Sequence, residues 1–186
     1  MKIMFSVLCG LGCWWFGGGT VAMAGDEAVT NAVPVRIGVY DSRAVAYAFF
    51  WSESYQGKLK EQVAAARAAK QAGDTARFQE LDATLRQTQD QLHRQVFSTA
   101  PVEDALAALK GQIPEIEKQA DVTALVSKWD EAALKKHPNA GQVDVTGQLA
   151  REFKPTEKQL KVIADIQKQK PLSLEKCDEL IRKGEI

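Results

Sequence analysis

The sequence has few of the side chains on which most enzyme sites depend. Its 186 residues include three cysteines and two histidines. His93 and His137 are isolated, and with the cysteines they do not give the ligand spacing of a zinc site. We expect His93 to lie on a solvated helix face and His137 in a loop. The chain also lacks a Gly-x-Ser-x-Gly segment and a phosphate-binding loop, so we predict no enzyme activity and no catalytic, metal or cofactor site.

An excess of charge of one sign is missing too. Lysine and arginine together number 24, as do aspartate and glutamate. Nucleic-acid-binding domains usually carry a clear basic excess. The balance therefore argues against a nucleic-acid partner, and the chain shows neither internal repeats nor low-complexity tracts.

The N-terminus has the pattern of a secretory signal peptide. One lysine precedes an apolar stretch over residues 3–16, and Ala22 and Ala24 supply small residues at the −3 and −1 positions. This pattern predicts cleavage after Ala24. We therefore expect a leader over residues 1–24 and an exported mature chain, periplasmic or secreted.

Two alternatives concern the same segment. Residues 3–24 are long enough for a retained membrane anchor, and Cys9 or Cys13 are candidate lipidation sites.

If the leader is cleaved, Cys177 is the only remaining cysteine, and no internal disulfide can form. Removal of Lys2 leaves 24 − 1 = 23 bases against 24 acids, and we expect no stable membrane insertion after cleavage.

The mature chain begins with a strand signal. After a flexible lead-in over residues 25–34, apolar and other residues alternate over residues 35–40. Asp41 and Ser42 then offer an N-cap for a short helix over residues 43–51. As an alternative, Asp41 at the strand end is the candidate catalytic residue of an uncharacterised hydrolase.

A helical hairpin is predicted over about residues 54–98, because the segment consists mainly of good helix formers. Gly73-Asp74 interrupts it as a helix stop and a new N-cap. Apolar residues recur at steps of three and four in both arms, which is typical of a coiled-coil seam. On the first arm they are Tyr55, Leu59, Val63 and Ala66, and on the second Phe78, Leu81, Leu85, Thr88, Leu92 and Val96. A tight turn between such arms predicts an antiparallel hairpin whose outer faces are mostly exposed to solvent.

The remaining segments complete a mostly helical α+β fold. We predict short helices over 102–110 and 113–119, a strand over 122–129, a turn at 143–146 in which Asp144 or Thr146 caps a helix to 153, and helices over 155–168 and 173–183. The expected architecture is one domain over 35–186. It combines a small sheet, a protruding antiparallel α-helical hairpin and a C-terminal helical segment, in which Cys177 is a small core residue.

This order of elements resembles the Skp/OmpH-like family of periplasmic holdase chaperones. The matching segments are residues 36–42, the hairpin, the strand over 122–129 and the Val-Asp-Val-Thr turn at 143–146. The resemblance implies small subunits that associate through their strands into a homo-oligomer such as a trimer, and that hold unfolded or outer-membrane proteins between helical arms without ATP. It implies no cofactor.

Three features depart from the family pattern. Its members are usually strongly basic, whereas this mature chain is near neutral. The first arm is short, and the tail after Phe153 has no clear counterpart. A cell-envelope structural protein whose hairpin docks one folded partner is therefore an alternative to a chaperone.

If the hairpin binds clients, the candidate residues are apolar side chains that its seam does not fully bury. These are Tyr55, Leu59, Phe78, Leu85 and Leu92. The competing hypothesis is that all five are hairpin core. Their replacement would then unfold the arm rather than weaken binding.

Overall fold

The central element of the fold is a five-residue strand with a parallel neighbour on each side. The computed structural model describes residues 35–186; the predicted signal peptide and lead-in lie outside them. The strands are β1 (Arg36–Tyr40), β2 (Leu125–Ser127) and β3 (Gly141–Asp144), in the order β2-β1-β3. Parallel neighbours require crossover connections. Residues 41–124 form the first, and residues 128–140 return across β1 to form the second.

A glycine is required in the middle of β1. A Cβ atom on Gly38 would lie 2.8 Å from Leu125 Cδ2 and 3.1 Å from Val145 Cγ2. Both distances are shorter than an ordinary van der Waals contact. Side chains from the two flanking segments therefore meet over this position.

The helix that follows β1 packs in the core of residues 35–186. Helix α1 (Ser42–Phe50) begins at the N-cap Asp41, as predicted, and packs against helices on several sides. Its buried alanines and Val45 allow this close approach. The main core cluster comprises Tyr40, Val45, Ala46, Val102, Ala105, Leu109, Ile116, Val145 and Leu149.

The two long helices are α2 (Glu53–Gln71) and α3 (Thr75–Phe97). Gly73 has a positive φ of 72°, and Asp74 caps α3 by accepting a hydrogen bond from the backbone N–H of Arg77. Both roles were predicted. The helices contact one another across a three-residue connection, which is the loop length expected of an antiparallel hairpin.

Shorter helices complete the fold. They are α4 (Glu103–Ala108), α5 (Ile113–Ala120), α6 (Glu131–Leu134), α7 (Thr146–Glu152), α8 (Glu157–Lys168) and α9 (Leu174–Lys183). All of these except α6 were predicted from the sequence. Thr156 and Gln159 form a capping box at the start of α8, and Ser173 caps α9. Neither predicted cap of α7 was right, because its N-cap is Val145, which makes no side-chain cap hydrogen bond. Asp144 accepts from the N–H of Thr146 at 2.8 Å just before the helix. The Thr146 hydroxyl instead accepts from the N–H of Asp41.

The fold class, mostly helical α+β with a small sheet, is confirmed. The strand expected over residues 122–129 is present, but it covers only Leu125–Ser127. A further strand, β3, was not predicted, and it overlaps the first half of the turn expected at 143–146. Within residues 35–186, the structure has no helix with the length and apolar character needed to cross a membrane.

Candidate functional site

The interior of the hairpin follows the predicted seam. All six seam positions of α3 are partly buried, whereas most positions between them are exposed. On α2 only Ala66 and Ala69 are buried. Small residues let the two helices approach near the turn, but they leave α2 with little buried apolar surface.

An open groove runs along α2. It has a volume of about 530 Å³ and is lined by Leu59, Lys60, Val63, Ala64, Arg67, Ala68 and Gln71. Leu59 and Val63 are half-buried, and Ala64 and Ala68 are exposed. The lining therefore combines apolar side chains with two cations and contains no acid.

The five candidate client-binding residues have different surroundings. Tyr55 lies at the base of the hairpin, where its ring centroid is 5.0 Å from that of Phe49. Burial, followed by the charge of Asp104, raises its pKa. Leu59 lines the groove on α2, and Phe78 near the turn lies under the ammonium of Lys70, 5.4 Å from its ring centroid.

The last two candidates, Leu85 and Leu92, are half-buried on α3. The structure thus distributes the five along the arm instead of gathering them into one patch. Half-burial is compatible with both hypotheses made for these residues, so their role in client binding stays a prediction.

The C-terminal helix fixes the base of the hairpin. Arg94 of α3 donates to Asp178 of α9 at 2.6 Å, and the backbone N–H of Leu172 donates to the carbonyl of Phe97 at 2.9 Å. Cys177 is fully buried against α3, with its Sγ 3.7 Å from the carbonyl oxygen of His93. The tail after Phe153 is therefore part of the support of the arm.

A buried ionic network stands at the carboxyl end of β1. Asp41 Oδ2 accepts from Arg43 Nη2 at 2.9 Å and from Lys128 Nζ at 2.7 Å. Its Oδ1 accepts from Arg43 Nε at 3.1 Å and from Trp129 Nε1 at 3.0 Å. The guanidinium of Arg43 and the ammonium of Lys128 also lie about 5 Å from the Trp129 ring, within the range of cation–π attraction.

Arg43 extends the network to α8. Its Nη2 donates to the carbonyl oxygens of Ile166 and Gln169, at 3.0 and 2.8 Å. These carbonyls belong to the end of α8, where a cation is favourable because the last carbonyls of a helix have no partner within it. The network joins the ends of β1, β2 and α8.

The environment of Asp41 favours a structural role over a catalytic one. Burial alone would raise the pKa of its carboxyl. Hydrogen bonds from Arg43, Lys128 and Trp129 outweigh burial and hold the pKa below its ordinary value. The carboxylate is fully buried and both oxygens are engaged. It is held as an anion with no lone pair directed to solvent, which suits the predicted cap.

Sequence reasoning did not identify Lys128 and Trp129. Both follow β2 and are far from Asp41 along the chain, Trp129 by 88 residues, so no local pattern links them. The available signal was their position: the carboxyl ends of neighbouring parallel strands meet at one edge of a sheet.

The histidines do not approach the network. The ring of His93 is half-buried and 5.8 Å from that of Phe97, so the expected solvated position was wrong. His137 lies in the loop before Pro138, as expected.

Cys177 is a buried core residue, as predicted, and burial, followed by the charge of Asp178, raises the pKa of its thiol. Within residues 35–186, no three histidine, cysteine or acidic side chains are grouped so that they could hold a metal ion. Comparison of the chain with models of protein families, with curated proteins and with solved structures finds no match.

Proposed function

We propose that this chain is an exported, ATP-independent, chaperone-like protein that binds apolar segments of unfolded or outer-membrane proteins along its helical hairpin. The observation that supports this most directly is the groove on α2, where Leu59 and Val63 remain accessible beside Lys60 and Arg67. An accessible apolar stripe on a projecting helix is typical of a surface that binds another chain.

The chemistry of the groove suits weak binding of many clients. Half-exposed aliphatic side chains provide non-directional contact area, and the two cations attract acidic segments. Several such contacts along one unfolded chain add through effective concentration. Release then needs no nucleotide, because each contact breaks readily. Export rests on the predicted signal peptide.

The proposal can be tested with purified residues 25–186. A urea-unfolded outer-membrane protein is diluted into buffer without ATP, and its aggregation is followed by light scattering. We expect aggregation to fall as the chain approaches stoichiometric excess. Unchanged aggregation at that excess would refute the proposal.

A matched pair of variants locates the binding surface. Ala64→Glu with Ala68→Glu introduces two charges into the groove at exposed positions. Ala65→Glu with Ala83→Glu introduces the same charges at exposed positions outside its lining. We expect the first pair to weaken client binding about tenfold, equivalent to about 1.4 kcal/mol, and the second pair to bind normally. Circular dichroism establishes that both variants remain helical.

A further inference from the structure

A second cleft lies on the body of the molecule, along β2. It has a volume of about 420 Å³. Its apolar lining includes Val102, Leu106, Ala133 and Leu174, the last of which is 43% exposed. No residue of this cleft lines the groove on α2, so the two surfaces are separate.

The cleft borders the free edge of the sheet. Within residues 35–186, β2 pairs only with β1. The N–H of Gly38 donates to the carbonyl of Ala124, and the N–H of Lys128 donates to the carbonyl of Tyr40. In a parallel ladder, the residues between these points alternate in direction. The N–H groups of Leu125 and Ser127 and the carbonyl of Leu125 therefore point away from β1.

All three residues of β2 line the cleft, although successive side chains of a strand point to opposite faces. The cleft thus follows the backbone edge rather than one face of the sheet. An unpaired strand edge beside an apolar cleft is the arrangement to which an extended peptide adds as a further strand.

The charge of the cleft specifies the peptide. Glu103, Asp130 and Glu131 line it, and no lysine or arginine does. The neighbouring Lys128 is turned towards Asp41, 2.7 Å away. Burial, followed by the charges of Glu103 and Asp130, raises the pKa of Tyr40 to about 12, so both carboxylates lie close enough to act on its hydroxyl. Its hydroxyl stays protonated at neutral pH and can donate a hydrogen bond.

We infer that this cleft binds an extended peptide segment of apolar residues flanked by lysine or arginine, which pairs with the free edge of β2. The backbone of β2 supplies hydrogen bonds, Val102, Leu106 and Leu174 contact the apolar side chains, and the three carboxylates select for cations. This site is independent of client binding by the hairpin.

Three fluorescein-labelled probe peptides test the inference with residues 25–186. The first alternates valine with lysine over nine residues, the second has glutamate in place of lysine, and the third is the first with alternate backbone nitrogens methylated. Fluorescence anisotropy at low salt measures their binding. We expect the lysine peptide to bind at least about tenfold more tightly than the glutamate peptide, because opposite charges at the rim attract and like charges repel. The methylated peptide should lose binding, because it cannot donate hydrogen bonds to the strand edge.

A charge-neutral variant and a matched control complete the test. Glu103→Gln, Asp130→Asn and Glu131→Gln together should weaken binding of the lysine peptide about threefold to tenfold, as expected for exposed ion pairs. The control variant combines Glu80→Gln, Asp165→Asn and Glu157→Gln, all of which lie outside the lining of the cleft. It should bind the lysine peptide as tightly as the wild type does.

The groove variant Ala64→Glu with Ala68→Glu should also bind the lysine peptide normally, which separates failure of this inference from failure of the hairpin proposal. Equal binding of the lysine and glutamate peptides would overturn the inference, as would undiminished binding of the methylated peptide. Dissociation of an oligomer by the lysine peptide would overturn it as well, because the edge would then be an interface between copies of the chain.

Discussion

Asp41 has two roles that would normally compete for the same carboxylate. It caps α1 by accepting from the N–H of Arg43, and it neutralises the buried side chain of Arg43 and the partly exposed side chain of Lys128. A buried charge is costly unless it is paired and hydrogen-bonded. Removal of the anion would leave two cations near each other at the end of the sheet.

We predict that Asp41→Asn destabilises the protein by about 3–5 kcal/mol at neutral pH, the cost of breaking a buried ion pair. The asparagine can still cap the helix, so the loss reports the charge. Urea unfolding followed by circular dichroism measures it. Asp165→Asn removes an exposed partner of Lys168 and should cost less than about 1 kcal/mol.

The lowered pKa of Asp41 predicts that the stability difference between wild type and Asp41→Asn depends on pH. The pKa of Asp41 is lowered in the folded state, so its stabilisation is complete above the unfolded carboxyl's pKa of about 3.9. It is lost as the pH falls through the lower folded-state pKa. The difference in unfolding free energy between wild type and Asp41→Asn should therefore shrink below about pH 4. A difference that stays constant down to about pH 2 would contradict the assigned network.

At the scale of single residues, only contacts between residues close together in the sequence could be predicted. Asp41 as a cap follows from its position between a strand and a helix, and the structure confirms it. Its partners Lys128 and Trp129 come from the far side of the long crossover over residues 41–124, where no sequence spacing indicates contact. His93 was placed wrongly for a similar reason, because α9, which packs against α3 at this level, lies far along the chain: Cys177 Sγ lies 3.7 Å from the carbonyl oxygen of His93, 84 residues earlier.

Among the elements, the long helices were easier to predict than the strands. The seam of α3 repeats over six positions, so its periodicity is a strong local signal. β3 has no such signal. Its sequence, Gly-Gln-Val-Asp, is exposed at every position except Val143, and it is a strand because it pairs with β1 rather than because of its own residues.

Two glycines, one in a strand and one in a helix, differ in how closely their surroundings pack against them. Gly38 lies in the packed centre of β1, whereas Gly57 lies on the exposed surface of α2, where an added Cβ atom would have no neighbour within 4 Å. We predict that Gly38→Ala costs about 1–3 kcal/mol through overpacking. Gly57→Ala should instead stabilise the protein by about 0.5–1 kcal/mol, because glycine is a poor helix former. Thermal unfolding of the two variants should shift in opposite directions, and a stabilised Gly38→Ala would contradict the packing over β1.

At the scale of the whole molecule, the distribution of charge over the surface says more about binding partners than the net charge does. The chain is neutral overall, yet the groove on α2 carries Lys60 and Arg67 without an acid, and the cleft along β2 carries three acids without a base. The near-neutral composition departs from the strongly basic composition of the chaperone family that the chain resembles. The structure shows that it does not imply uncharged surfaces. Composition alone could not reveal this, because the cleft is assembled from distant segments.

Within residues 35–186, the sheet has a second free edge, on β3. The N–H of Gly141 donates to the carbonyl of Val35, and the N–H of Val145 donates to that of Val39. By the alternation of a parallel ladder, the backbone groups of Gln142 and Asp144 point away from β1. An association of subunits through strands, as the resemblance implies, can use this edge. A closed trimer joins two different surfaces of each subunit; β3 would supply one of them, and a surface other than the edge of β2 would supply the other.

Gln142→Pro tests this assembly without disturbing the fold. Proline removes an N–H that faces away from β1, and sheets tolerate it at such edge positions. We expect residues 25–186 to sediment as a trimer and the proline variant as a monomer with an unchanged circular dichroism spectrum, because each lost edge hydrogen bond costs about 1–3 kcal/mol in a buried interface. Gln142→Ala keeps the N–H and should remain trimeric. Equal masses for wild type and Gln142→Pro would exclude β3 from the interface, and a monomeric wild type would contradict association through strands altogether, leaving each hairpin to hold its client alone.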